Sequence, residues 1–222
     1  VERVQPEIDG GRFAIKRTPG ESVQVTADIF ADGHDLLAGV LRYRSLQGKG
    51  GRGKGEDTSW SEVPLADLGN DSWGASFTVT EIGEYEYTVE AWVDHFGSWL
   101  MGLTAKFTTQ QDVSSELLEG AELVQAAAGR LNPDPGDGLT LLEIADKLRG
   151  PLPQAARVAA ARDPRLRALM SARPDRTTAT SYERALRVVV DPVLARCGAW
   201  YEMFPRSCTT DASRPGTLRD AE

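Results

Sequence analysis

The segment EYEYTVEAWV (84–93) decides how the first half of this chain is read. From Glu84 to Ala91 polar and apolar residues alternate, so Tyr85, Tyr87, Val89 and Ala91 fall on one face and Glu84, Glu86, Thr88 and Glu90 on the other. A period of two is the mark of a half-buried β-strand, because successive side chains of a strand point to opposite faces. Outward from it, SVQVTADIF (22–30), GVLRYR (39–44) and ASFTVT (75–80) alternate in the same way. The breaks between them, DGHD (32–35), LGND (68–71) and EIGE (81–84), are rich in Gly, Asn and Asp. These residues tolerate the left-handed and tight-turn conformations that reverse a chain. About seven short strands in about a hundred residues, with no helix between them, predict an immunoglobulin-like β-sandwich over residues 1–110.

After Thr109 the period changes. Leu117, Ala121, Val124, Ala128 and Leu131 recur at spacings of four and three, one face of an α-helix, with Asp112 or Ser114 placed to cap its start. Thr140-Leu141-Leu142-Glu143 reads as a capping box for a second helix that ends with Lys147, Arg149, Gly150 and Pro151. Further helices are expected through QAARVAAA (154–161) and from Asp163-Pro164 to before Pro174. Residues 111–180 therefore read as a small helical bundle. RVVV (187–190) is β-branched again, and GAWYEMFPRS (198–207) is the densest aromatic run in the chain. Residues 181–207 are expected to return to the sandwich, so that the bundle is an insertion before its last strands. The fold class is thus β-rich with an α insertion.

Composition narrows the function. The 222 residues are 41% hydrophobic and 26% charged, with a formal net charge of −8. Residues 1–111 hold 17 acidic against 10 basic side chains. An acidic surface repels phosphate backbones, which argues against nucleic acid as a partner. No apolar run approaches the roughly 20 residues that cross a bilayer, and the first residues lack the apolar stretch of a signal peptide. Neither a membrane partner nor export is expected, which makes a cytoplasmic protein the reading. Cys197 and Cys208 form no CxxC pair and have no His cluster beside them, so reduced structural cysteines and no metal site are expected.

Catalytic signatures do not emerge. GKGGRGKG (48–55) fits both GxGxxG and GxxxxGK, but strand-like residues follow where a phosphate loop needs a helix, and Gly55 stands where Ser or Thr would hold a metal. It reads as a solvated hairpin loop. His34 lies in a turn beside Asp35 and His95 follows Asp94, yet neither GxSxG nor HExxH occurs to complete a catalytic group. No catalytic residue and no cofactor-binding residue is assigned. Of the five tryptophans, Trp92 is expected to pack the core, whereas Trp60 and Trp73 lie near turns and are the candidates for stacking on a sugar ring.

Several stretches together resemble the N-terminal part of the bacterial α-1,4-glucan:maltose-1-phosphate maltosyltransferases, the GlgE type of the α-amylase superfamily. They are Gly10-Gly11-Arg12-Phe13 with Gly20-Glu21, Phe30-Ala31-Asp32-Gly33-His34-Asp35, Val89-Glu90-Ala91-Trp92-Val93-Asp94 leading to Trp99, Leu117-Leu118-Glu119-Gly120-Ala121, and above all GAWYEMFPRS. The chain departs from the pattern at Gly10 and at Leu100-Met101. The resemblance implies transfer of maltose from α-maltose 1-phosphate to the non-reducing end of an α-1,4-glucan by the whole enzyme, with release of phosphate and retention of configuration. It implies that the reacting carboxyls sit in a (β/α)₈ barrel after the FPRS segment, that residues 208–222 begin that catalytic domain, and that the present residues alone are inactive. It also implies a homodimer built on this non-catalytic region, and an end of the aromatic run, Met203-Phe204-Pro205, that is partly exposed here. A stand-alone carbohydrate-binding or protein-interaction module is the alternative.

Overall fold

A computed structural model of the protein describes residues 1–46, 59–130, 135–198 and 202–221. The expected loop at 48–55, Leu131 and the Ala199-Trp200-Tyr201 part of the aromatic run lie outside the described residues. Eight strands come first: β1 (Glu2–Gln5), β2 (Ile15–Arg17), β3 (Ser22–Asp28), β4 (Leu37–Ser45), β5 (Ser61–Pro64), β6 (Ala66–Gly69), β7 (Ser72–Thr78) and β8 (Gly83–Val93). Helices α1 (His95–Thr108), α2 (Ser114–Gly129), α3 (Pro135–Arg149), α4 (Gln154–Ala161) and α5 (Pro164–Ser171) follow, and then β9 (Thr180–Ser181) and β10 (Leu186–Val190).

The strands form two sheets. One has the order β1-β3-β7-β6; the other runs β2-β10-β8-β4-β5, with β9 paired to the far half of β8. These are the ABED and GFC orders of an immunoglobulin sandwich, closed by a parallel pairing of β10 with β2. The sheets face each other through the alternating residues. Val23, Val25 and Phe77 of the first meet Leu41, Tyr87, Val89 and Val188 of the second in one buried cluster. Phe77 stands between Tyr43, 4.5 Å away, and Tyr87, 5.8 Å away, centroid to centroid. At the corner before β8 the Tyr85 hydroxyl accepts hydrogen bonds from Glu81 N at 3.1 Å and Thr80 N at 3.4 Å. This is the tyrosine corner of such sandwiches, reached here by the turn that Gly83 allows at φ 142°.

The helices occupy the connection between β8 and β10, the F–G position. Alternation alone extends the strand region to Thr109, but the structure corrects this: residues 95–108 are helical. Asp94 ends the strand and caps the helix, its Oδ1 accepting from Gly97 N at 2.9 Å. Phe96, Trp99, Leu100 and Leu103 then recur at helical spacing and are buried. A second correction concerns Thr140, which is not a cap. It lies inside α3, where its hydroxyl donates to Gly136 O at 2.9 Å. The start of α5 is as expected, with Asp163 accepting from Arg165 N and Pro164 in the first turn.

The helical core gathers Leu103 from α1, Leu117, Ala121 and Val124 from α2, Leu141 and Leu148 from α3, Val158 from α4 and Leu166 from α5. Among the described residues it shares none with the sandwich core. Each part thus buries its own apolar face. β10 then pairs with β8 from Leu186↔Tyr87 to Val190↔Gly83, so the chain does return to the sandwich after the helices.

Candidate functional site at the junction of sheet and helices

On β8 the residues facing away from the sandwich core are Glu86, Thr88, Glu90 and Trp92. Trp92 is buried at 7% exposure, but by the return of the helical insertion rather than in the sandwich core where the sequence placed it. The Arg176 guanidinium carbon sits 4.4 Å from its ring centroid. From there Arg176 reaches two strands. Its Nη2 donates to Glu62 Oε2 of β5 at 2.8 Å, and its Nη1 donates to Glu90 Oε1 of β8 at 3.3 Å. Arg42 of β4 lies between the same carboxylates, 3.0 Å from Glu90 and 3.5 Å from Glu62. Ser181 adds a hydrogen bond to Glu90 at 3.2 Å.

This ring of two cations and two anions sets the protonation of its members. Hydrogen bonds from Arg176, aided by its charge and that of Arg42, hold the Glu62 carboxyl below its ordinary range. The same bonds raise Arg176. A carboxylate held low between guanidiniums is poorly suited to acid or base catalysis at neutral pH, which favours groups that titrate near the working pH. It is well suited to holding residues 175–182 on the sheet and to presenting fixed polar atoms. Among the described residues no group of three or more His, Cys, Asp or Glu side chains is arranged to hold a metal ion. None of their helices is long and apolar enough to cross a membrane.

The two candidate tryptophans part company. Trp60 lies beneath Arg44 and Arg42, whose guanidinium carbons are 4.5 and 5.3 Å from its ring centroid. Trp73 on β7 is half-buried, packs against the sandwich core, and lines a groove that also contains Glu62, Asp94, Trp92 and Arg176. Trp60 thus touches the junction only through Arg42, whereas Trp73 lines the groove itself. His34 and His95 are both exposed, the first between β3 and β4 and the second opening α1. Met203 and Phe204 are 54% and 72% exposed, in keeping with the expectation for the end of the aromatic run.

The sequence places Glu90 on the outer face of its strand and Asp94 beside His95 within the stretch that carries the resemblance, but assigns neither a partner, and it marks neither Arg42 nor Arg176. Asp94 was legible as a cap from Asp-His-Phe-Gly ahead of a helical apolar pattern. Arg176 was not, since its partners lie 86 and 114 residues away.

Topology, tyrosine corner and insertion define the class: an immunoglobulin-like sandwich carrying a helical bundle between its F and G strands. Residues 1–192 match the family described as α-1,4-glucan:maltose-1-phosphate maltosyltransferase, domain N/S. The maltosyltransferase of that name from Myxococcus xanthus is 44% identical over 224 residues, covering 100% of this chain and 33% of that protein. Its counterpart in Chlorobaculum tepidum is 42% identical over 220 residues, with 99% and 31% covered. Maltosyltransferase 2 of Streptomyces coelicolor is 35% identical over 221 residues, with 100% and 32% covered. The chain belongs to the α-1,4-glucan:maltose-1-phosphate maltosyltransferase family. It spans about a third of the length of these relatives.

Proposed function

We propose that this chain is the non-catalytic N-terminal region of a cytoplasmic enzyme that transfers maltose from α-maltose 1-phosphate to the non-reducing end of an α-1,4-glucan, releasing phosphate. The observation that carries this reading is the family match over residues 1–192, in a chain that spans about a third of its relatives. Retaining transfer needs a nucleophilic carboxylate and a second carboxyl as acid and base, about 5–5.5 Å apart. The junction carboxylates are instead locked in ion pairs, which supports placing the reacting pair in a barrel that follows the FPRS segment. Exposed Met203 and Phe204 support the same arrangement, as side chains that a neighbouring domain covers.

The role of these residues in the enzyme is support and dimerisation. Leu118, Leu139, Leu142 and Leu152 of the helical region are 43–62% exposed, apolar surface that gains from a second copy. The 222-residue chain is expected to release no phosphate from α-maltose 1-phosphate and glucan; measurable release overturns the non-catalytic reading. Light scattering is expected to show a dimer at micromolar concentration, and a monomer throughout that range counts against dimerisation by this region.

A further inference from the structure

Where the sandwich meets the end of α5 there is a groove of about 400 Å³, inside the roughly 300–1,000 Å³ range of small-ligand sites. Ala38, Gly39 and Val40 of β4 line it beside Trp73, and Met170 and Pro174 come from the helical side. Its charged and hydroxyl side chains are Glu62, Asp94, Arg176 and Ser171. We propose that this groove binds a neutral α-1,4-linked glucan chain, with a pyranose ring on Trp73 and its hydroxyls bonded to the Glu62–Arg176 pair and Asp94.

The chemistry of the lining selects the ligand. With their ion-pair neighbours counted, Glu62, Glu90 and Asp94 outnumber Arg176 and Arg42, which disfavours an anion, a sugar phosphate included. A wholly apolar ligand would strip water from Glu62 and Arg176 and return no hydrogen bonds, a costly exchange. A neutral polyol does neither. Each hydroxyl both donates and accepts, and Arg176 Nη2 and Glu62 Oε2, 2.8 Å apart, offer a donor and an acceptor side by side to neighbouring hydroxyls. Both side chains remain about a third exposed, so a ligand reaches them.

Trp73 supplies an apolar face for the C–H side of the sugar ring. Its backbone is paired on both sides, with Ala27 of β3 and Asp67 of β6, and its side chain packs against the sandwich core, so little ordering is left for binding to impose. Trp60 is unsuited because guanidinium groups already lie against its ring. The linkage, α-1,4, rests on the proposed enzyme; the preference for a neutral sugar rests on the groove.

Calorimetric titration of the 222-residue chain with maltoheptaose, taken to about 10 mM, covers a Kd near 1 mM tenfold. Saturable heat is expected, with cellohexaose binding more weakly. Trp73→Leu and Ser171→Arg are each expected to weaken binding about tenfold or more, while Trp60→Leu leaves it unchanged. Ser171 is exposed on the groove rim, so Ser171→Arg blocks the groove from solvent and stays decisive if Trp73→Leu fails to fold. Absence of heat, affinity unchanged by Ser171→Arg, or a preference for cellohexaose overturns the proposal. Phosphate release and oligomeric state are read separately, so either proposal fails without the other.

Discussion

Gly120 on α2 lies where the Trp99 indole crosses from α1, and an ideal Cβ there would fall within the ring's Cζ2, Cε2 and Cη2 atoms. The indole cannot easily retreat, since its Nε1 donates to Glu116 O at 2.7 Å in the same helix. Two effects compete in Gly120→Ala. Helix propensity favours alanine by about 1 kcal/mol, but overpacking of a closed core costs about 1–3 kcal/mol. Overlap with a buried ring pinned by a hydrogen bond makes the second effect win. Gly120→Ala is expected to lower the urea midpoint, and Trp99→Phe, which removes the overlapping atoms, to recover part of that loss in the double variant. Strictly additive losses would mean that the two positions are uncoupled. A lone glycine within a helical pattern was legible in LLEGA; the ring that requires it was not.

At the scale of elements, the Arg176 ring ties β9 and the segment before it to β4, β5 and β8. Because the Glu62 pKa is depressed in the folded state, its stabilisation is complete above the ordinary value of 4.5 and shrinks as pH falls through and below it. Arg176 stays charged throughout and adds no pH dependence in this range. Hydrogen exchange is therefore expected to rise at amides of residues 175–182 below about pH 4, while amides of β8 opposite β10 stay protected. Arg176→Lys, which keeps the charge but loses the planar fork, is expected to produce the same local loosening at neutral pH. Loosening spread evenly over the protein, or none, would remove the ring from this role. The helix bounds show the limits of pattern reading at this scale. α4 follows from its alanine-rich run and α5 from its Asp163-Pro164 cap, whereas α1 follows a strand so closely that its period of two masked the switch at Asp94.

For the whole molecule the separation of the two cores has a direct consequence. The chain leaves the sheet at Val93 and comes back beside it, with Thr180 opposite Ala91, so the insertion begins and ends close together. Replacing residues 95–172 by a short Gly-Ser turn, with Arg176 kept over Trp92, is expected to leave a sandwich that unfolds cooperatively and whose circular dichroism has lost its helical part. An unfolded product would show that the sandwich depends on the bundle. Alternation in EYEYTVEAWV and its neighbours determined the strands and which faces they bury, because that information is local and repeats every two residues. Helical spacing of apolar residues determined most of the helices, although among the expected caps only Asp163 holds and α2 starts after Val113 without a side-chain cap, and the order of the matching stretches pointed to the family. Only the tertiary structure decided that Trp92 is buried by the insertion, that Trp73 lines a groove while Trp60 lies under arginines, and that Arg176 joins strands from distant parts of the chain. Those outcomes depend on which strands pair side by side and on which faces meet where the two cores pack together, and no local period encodes either.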